Sequence, residues 1–363
     1  MKFKTLLGAL LLSVFSTSVW ADRVITDQLD RQVTIPDHIH RAVILQHQTL
    51  NLAVQLDATK QIAGVLSNWQ KQLGKDFVRL APELANLPMP GDLNTVNIES
   101  LMEIKPDVVF VTNYAPKEMI EKISQMNVPV IAISLRSGDK TEQSKLNPTL
   151  ADENNAYNEG LKRGIEIIAD VFDKKAQGEE LIKATFANRE MLAARLGNIP
   201  AEKRVRTYIA NPNLGTYGSG KYTGLMLEHA GAYNVAAESV KGFQTVSMEE
   251  VLKWNPAVIL VQDRYPKVVD DIVNDNVWET IEAVKNHRVL LMPEYAKAWG
   301  YPMPEAIALG EVWLAKELYP ALFRDVDLDK MVIRFTIRIA KSSPVILWWQ
   351  GLQSVRWTGR PLP

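Results

Sequence analysis

Cysteine is absent from the 363-residue sequence. This excludes a disulfide framework, a thiolate metal site and lipid attachment through a cysteine. Histidine is scarce, with five residues at positions 38, 40, 47, 229 and 287, and none is spaced to pair with a carboxylate on one helix face. A bare zinc or manganese site would want several such ligands together, so a dedicated metal site is disfavoured. Neither sign of charge dominates, with 41 basic and 42 acidic side chains. That balance does not point to a nucleic-acid partner or an acidic membrane surface. There is no nucleophile elbow of the Gly-x-Ser-x-Gly type and no low-complexity stalk. Past the N-terminus no apolar run approaches membrane length.

The N-terminus reads as an export signal. Lys2 and Lys4 form a basic start, Leu6 to Phe15 an apolar stretch, and Val19-Trp20-Ala21 a cleavage site before Asp22. The apolar stretch is too short to span a bilayer, so residues 1–21 are expected to be removed. Losing two lysines takes the formal charge from −1 to −1 − 2 = −3. The mature chain is long enough to bury a core without covalent staples.

An internal repeat organises what remains. Val96 to Val111 (VNIESLMEIKPDVVFV) aligns without a gap on Val246 to Val261 (VSMEEVLKWNPAVILV), at an offset of 150 residues. Each copy predicts a capped short helix, a proline stop and a buried strand. Upstream, Ala42 to Leu45 and Val205 to Ala210 read as strands, with helices over Leu50–Leu56 and Tyr222–Ala230. Alternating strands and helices imply βαβ units on parallel sheets, and the repeat implies two lobes. Between them, Asn155–Phe172 and Lys174–Leu196 are helical in pattern, and Gly197-Asn198-Ile199-Pro200 ends the run. The second segment would be about 35 Å long and could cross from one lobe to the other. The expected organisation is an N-terminal lobe over 22–154, a helical linker over 155–200 and a C-terminal lobe over 201–330. Residues 331–363 read as an atypical tail that alternates apolar and basic residues before turning rich in tryptophan, glycine and proline.

In open α/β sheets ligands sit beyond the carboxyl ends of the strands. In the first lobe those positions hold Gln46, His47, Gln48, Asn68, Trp69, Asn113 and Tyr114. In the second they hold Asn211, Tyr217, Gly218, Ser219, Arg264 and Tyr265, with Tyr295, Trp299 and Tyr301 after a strand at 289–292. Arg264 is the sharpest candidate. Its guanidinium stays charged and presents five fixed donors, which suits an anion, although pairing with Asp263 is the alternative. His47 could donate to a ligand, bind a metal or be a satisfied structural histidine. Gly215 to Tyr222 (GTYGSGKY) has the spacing of a phosphate loop, but Tyr222 stands where a magnesium-binding hydroxyl is needed, so nucleotide binding is rejected. A glycine-rich loop before a helix could still offer backbone N–H groups to an anion. Trp69, Tyr114, Tyr217, Trp299 and Tyr301 could wall a pocket, or be ordinary core.

Taken in order, several segments resemble one family. These are Val24 to Pro36, Arg41 to Leu45, Asn97-Ile98-Glu99 through Lys105-Pro106-Asp107-Val108-Val109, and Leu309 to Pro320. The chain resembles the helix-linked periplasmic binding proteins of ABC importers for ferric siderophores, haem, cobalamin and some metal ions or oxyanions. Within them it looks closest to the molybdate- and tungstate-binding group. The resemblance covers roughly 22–329 and leaves 331–363 without a counterpart. It implies a periplasmic monomer, without cofactor or enzymatic activity, that closes two lobes on a molybdate or tungstate ion or a ferric chelate. A periplasmic hydrolase is the remote alternative. The resemblance further implies that one surface glutamate per lobe docks on arginines of the membrane permease. Glu99 and Glu249, at equivalent places in the repeat, are those candidates. The plain alternative is a helix N-terminal carboxylate favoured by the helix dipole.

Overall fold

The structure, a computed structural model, describes residues 22–339. The export signal, and whatever follows Ile339, lie outside the described residues. The chain opens with an antiparallel hairpin, β1 (Asp22–Thr26) and β2 (Gln32–Pro36). Two four-stranded sheets follow, and every pairing within them is parallel.

The first sheet contains β3 (Ala42–Ile44), β4 (Ile62–Val65), β5 (Val108–Thr112) and β6 (Val130–Ile133), in the order β4-β3-β5-β6. A short antiparallel pair, β8 (Gly215–Tyr217) with β10 (Phe243–Thr245), belongs to the second lobe. The second sheet contains β7 (Val205–Ala210), β9 (Ala232–Asn234), β11 (Val258–Val261) and β12 (Val289–Leu291), in the order β12-β11-β7-β9. Counted within its own lobe, each sheet is wound second, first, third, fourth. The two switch points, β3/β5 and β7/β11, are therefore equivalent, and each is a crevice at strand ends. Val108 to Val111 and Val258 to Val261 are buried at every position, as parallel strands covered on both faces must be.

The repeat survives in backbone detail. The helices Ile98–Ile104 and Met248–Trp254 are capped by Asn97 and Ser247, whose side chains accept from the N–H groups of Ser100 and Glu250. Both helices end on a left-handed residue, Lys105 at φ 52° and Asn255 at φ 42°. The turn supplies the register that the following Pro106 and Pro256 enforce, because proline cannot continue the helix.

The lobe-crossing element differs from the one expected. The helix Glu153–Val171 packs on His47–Gln55 of the first lobe and on Tyr222–His229 of the second. At 1.5 Å per residue it is about 28 Å long. The segment expected to span the lobes is instead two helices, Lys175–Phe186 and Arg189–Leu196, that pack back on the first helix and the C-terminal elements. They part at Asn188, whose amide donates to the Ala308 carbonyl at 2.7 Å. Two glycines bring the bridging helix close to the segment after β6, Gly160 onto its backbone and Gly164 onto the Leu135 side chain. A Cβ at Gly160 would lie 1.9 Å from Arg136 Cα, and one at Gly164 would lie 2.5 Å from Leu135. Leu135 itself is held at φ 54°. Gln28 staples this corner, accepting from the N–H groups of Ser134 and Leu135 and donating to Gly160.

The helix Leu328–Ile339 runs through the position at which the sequence suggested an atypical tail. Val332, Met331 and Phe335 pack against Ala308, Leu309 and Tyr295. Among the described residues no helix is long and apolar enough to cross a membrane.

Candidate functional site

The residues after β11 are locked by a chain of amides. Asn211 donates from Nδ2 to the Gly215 carbonyl at 3.1 Å. Its Oδ1 accepts from Gln262 Nε2 at 2.5 Å, and Gln262 Oε1 accepts from Arg264 Nε at 2.9 Å. Each amide is thus fixed in one orientation, and the guanidinium is aimed. Arg264 also donates from Nη1 to Gln72 Oε1 at 3.2 Å, which reaches the opposite lobe. Its plane lies 5.1 Å from the Tyr265 ring centre and 5.6 Å from that of Trp299. Among the described residues no carboxylate pairs with it within 4 Å. Asp263, the partner considered from sequence, acts on it only at longer range, and burial raises the Asp263 carboxyl above its ordinary value.

His47 faces this cation from the other lobe. It is the first residue of the helix His47–Gln55, and its ring meets Trp299 edge-on at 5.4 Å. Burial, and then the Arg264 charge, hold His47 down at about 3. It is therefore neutral at working pH, with one N–H to give, and its Nδ1 has no protein partner. Trp299 Nε1 is likewise buried and unpartnered. Lys297 sits 4.9 Å from the Trp299 ring centre. Burial opposes its charge, but the Glu305, Glu294 and Asp263 carboxylates outweigh burial and raise it. Glu305 ties the lobes together, accepting from Asn51 Nδ2 at 2.8 Å and Gln55 Nε2 at 2.7 Å.

Tyr301 and Trp299 flank a glycine pinned in place. Gly300, at φ +80°, donates to Thr223 Oγ1 at 2.9 Å and accepts from the Tyr222 N–H at 3.2 Å. The left-handed backbone lets two aromatic side chains leave one short loop in the directions the cleft requires. Tyr217 packs beside Gly300, and burial pushes its hydroxyl up to about 12 against the pull of Arg264. Tyr114 comes close enough to Tyr217 and Tyr301 to act on both. His47, Tyr114, Tyr217, Arg264, Tyr265, Trp299 and Tyr301 thus converge between the lobes.

Four other expected residues have work elsewhere. Trp69 lies edge-on to Phe77 at 6.2 Å within the first-lobe core. Asn113 donates from Nδ2 to the Gln143 carbonyl at 2.6 Å. Three N–H groups of the glycine-rich loop are taken by protein acceptors rather than held for an anion. The Gly218 N–H donates to Gly242, that of Ser219 to Val240, and that of Gly220 to Glu153 Oε1. Gly218 is needed for close packing, since a Cβ there would lie 1.8 Å from the Val240 carbonyl oxygen. Sequence reasoning passed over Gln72, Gln262, Lys297 and Glu305. A lysine or glutamate in sequence reads as solvent-exposed, and only the Arg264 spacing hinted that Gln262 was a strand-end residue.

Glu99 and Glu249 are exposed, each in the first turn of its helix. Among the described residues no group of three or more histidine or acidic side chains could hold a metal ion.

Residues 43–296 match the periplasmic binding protein family. The chain is 74% identical over 332 residues to the molybdate-binding protein MolA of Haemophilus influenzae, covering 92% of this chain and 95% of that protein. The solved structure of MolA bound to molybdate superposes with a TM-score of 0.87 at 73% identity, covering 89% of this chain and 99% of that one. A periplasmic solute binding protein from Veillonella parvula matches with a TM-score of 0.68 at 26% identity, over 87% and 92% of the two chains.

Proposed function

Because this chain belongs to the periplasmic binding protein family, we propose that it captures molybdate or tungstate between its lobes and delivers the ion to the permease of an ABC importer. The observation that carries the ligand class is Arg264. It is a pinned guanidinium in an interlobe cleft, with no carboxylate partner among the described residues, facing a neutral histidine. A half-buried guanidinium fixed by neutral amides, with no paired carboxylate, is set to give charge-assisted hydrogen bonds to an anion. Donors from His47 Nδ1, Trp299 Nε1 and Tyr301 Oη supply neutral hydrogen bonds without adding charge. The 74% identity to a molybdate-binding protein supports the choice of oxyanion.

A ferric siderophore, haem or cobalamin is the second reading, and the tyrosine-lined cleft is what favours it. Against it, Tyr217, Trp299 and Tyr301 are almost fully covered. A chelate with a ring system needs an open aromatic mouth, whereas a small oxyanion needs a closed one. The cleft serves binding rather than turnover in this proposal, and the docking of Glu99 and Glu249 on the permease is part of it.

Calorimetry of the purified mature protein with molybdate, tungstate, sulfate and ferric citrate tests the assignment, alongside elemental analysis of protein from cells. Saturable heat with molybdate and tungstate, and molybdenum or tungsten in the isolated protein, is the expected result. Iron in the protein, with no heat from either oxyanion, would overturn it.

A further inference from the structure

Besides Arg264, two further buried cations lie at the lobe interface. Arg136 follows β6 in the first lobe and is 2% exposed. Lys221 precedes the helix Tyr222–His229 in the second lobe and is 3% exposed. Lys221 Nζ donates to the Leu146 carbonyl and lies 5.1 Å from the Tyr301 ring centre. Arg136 Nη2 donates to the carbonyls of Glu142, Gln143 and Lys145, while its Nη1 is buried without a partner. The Tyr301 hydroxyl is also buried and unpartnered.

The groups facing this pair do not neutralise it. Tyr301, Tyr217 and Tyr157 are phenols that burial keeps protonated. Glu153, on the bridging helix, accepts from the Gly220 N–H instead. Glu142 pairs with Lys145. Among the described residues, carbonyl dipoles and neutral phenols thus face two buried positive charges, one from each lobe. Bringing them together on closure is repulsive, and low polarity amplifies the repulsion. The buried Arg136 Nη1 and Tyr301 hydroxyl lie close enough to act on each other, and the hydroxyl still has a proton to give to an anion beside them.

We propose that Arg136 and Lys221 are further contacts for the bound oxyanion, one from each lobe, and that the anion offsets a repulsion that otherwise opposes closure. This rests on the oxyanion reading above. It assigns the ligand a seat of three cations, with Arg264 and His47 at one side and Arg136, Lys221 and Tyr301 at the other. It also gives closure a cause, since the empty cleft disfavours the shut state and the filled cleft favours it.

Burial, and then the charge of Arg136, lower Lys221 to about 7. An anion beside it restores the charge, so binding at pH 8 takes up about 0.9 proton per ion if Lys221 is fully protonated in the complex. The test is calorimetry of sodium molybdate binding at pH 8 in HEPES and in Tris, whose ionisation enthalpies differ. The wild type takes up close to one proton. Lys221→Met takes up none and binds at least about tenfold more weakly, roughly one charge-assisted contact. Lys221→Arg, which keeps a fixed charge, binds without proton uptake. Wild-type binding without proton uptake, or Lys221→Met affinity within twofold of wild type, overturns the proposal.

A ligand-free arm separates this failure from failure of the oxyanion reading. Between pH 6 and 9 Lys221 changes charge, while His47 at about 3 and the three tyrosines stay neutral. By small-angle scattering the empty wild type is more open at pH 6 than at pH 9, and empty Lys221→Met is not. An identical pH response in the two proteins overturns the proposal, whether or not molybdate binds.

Discussion

Replacing Arg264 by alanine removes the group on which the ligand assignment rests. The guanidinium makes two side-chain hydrogen bonds, to Gln262 and across the cleft to Gln72. It also stacks near two rings, Tyr265 and Trp299. One lost charge-assisted contact to an oxyanion costs about 1.5–3 kcal/mol, or roughly one to two decades in affinity. The effect on folding is smaller, because the group is only half buried and its two lost partners are neutral amides. Arg264→Lys sharpens the reading. It keeps the charge but loses the fork that Gln262 aims, so it recovers part of the affinity and not all of it. A second readout comes from His47. Its ring is held down first by burial and then by Arg264, so in Arg264→Ala it rises from about 3 yet stays below the ordinary histidine value. Calorimetry measures the affinity, and histidine-resolved NMR titration measures the shift. Unchanged affinity with an unchanged melting temperature would remove Arg264 from the site. An unchanged His47 titration would show that the two residues do not face each other.

Three further outcomes follow from the same geometry. The buried His47 binds a proton near pH 3 folded and about 6.5 unfolded, so the unfolded state holds more protons between these values. Stability therefore falls as pH drops through that window, by up to about 1.4 kcal/mol per pH unit from this group, and denaturant midpoints of His47→Gln should lose that share of the slope. Glu311 is fully buried and receives hydrogen bonds or ion pairs from Tyr222, Arg189 and His229, so Glu311→Ala should cost about 2–3 kcal/mol; a change under about 0.5 kcal/mol in chemical denaturation would refute that network's role. The Glu99→Lys, Glu249→Lys double variant places repulsion at a partner surface while leaving the cleft alone. It should bind molybdate as the wild type does and fail to stimulate its reconstituted transporter; normal stimulation would refute the docking assignment, and lost ligand binding would show these residues to be misplaced.

The repeat at an offset of 150 residues made the two parallel sheets legible, because buried parallel strands and their proline-stopped helices carry a strong local pattern. Strand-end logic likewise anticipated that Arg264, His47, Trp299 and Tyr301 lie near one another between the lobes, since topology alone puts such positions at a crevice. What could not be read depends on tertiary approach. Lys221 and Lys297 have no local signature of burial; Lys221 reaches the Leu146 carbonyl of the opposite lobe, and Lys297 is held beside Glu294, Glu305 and Trp299 of its own. Gly218 reads as anion-binding in sequence, and only the Val240 carbonyl beside it reveals a packing role. The break at Asn188 has no proline or glycine beside it to announce it, and a contact to Ala308 120 positions away marks the site.

The bridging helix can also be regarded as a lever. It is about 28 Å long and clamped near its middle, where Gly160 lets it touch the backbone at Arg136. Turned through about 5° about that clamp, its longer arm of about 17 Å moves its end by roughly 1.4 Å. That displacement would open the 3.2 Å bond between Arg264 and Gln72 and the 2.8 Å bond between Glu305 and Asn51. Lobes joined in this way need no wide gape to release an ion. A small torque delivered at either end by a docking partner would suffice, and the stiffness that limits the swing is what carries the torque across.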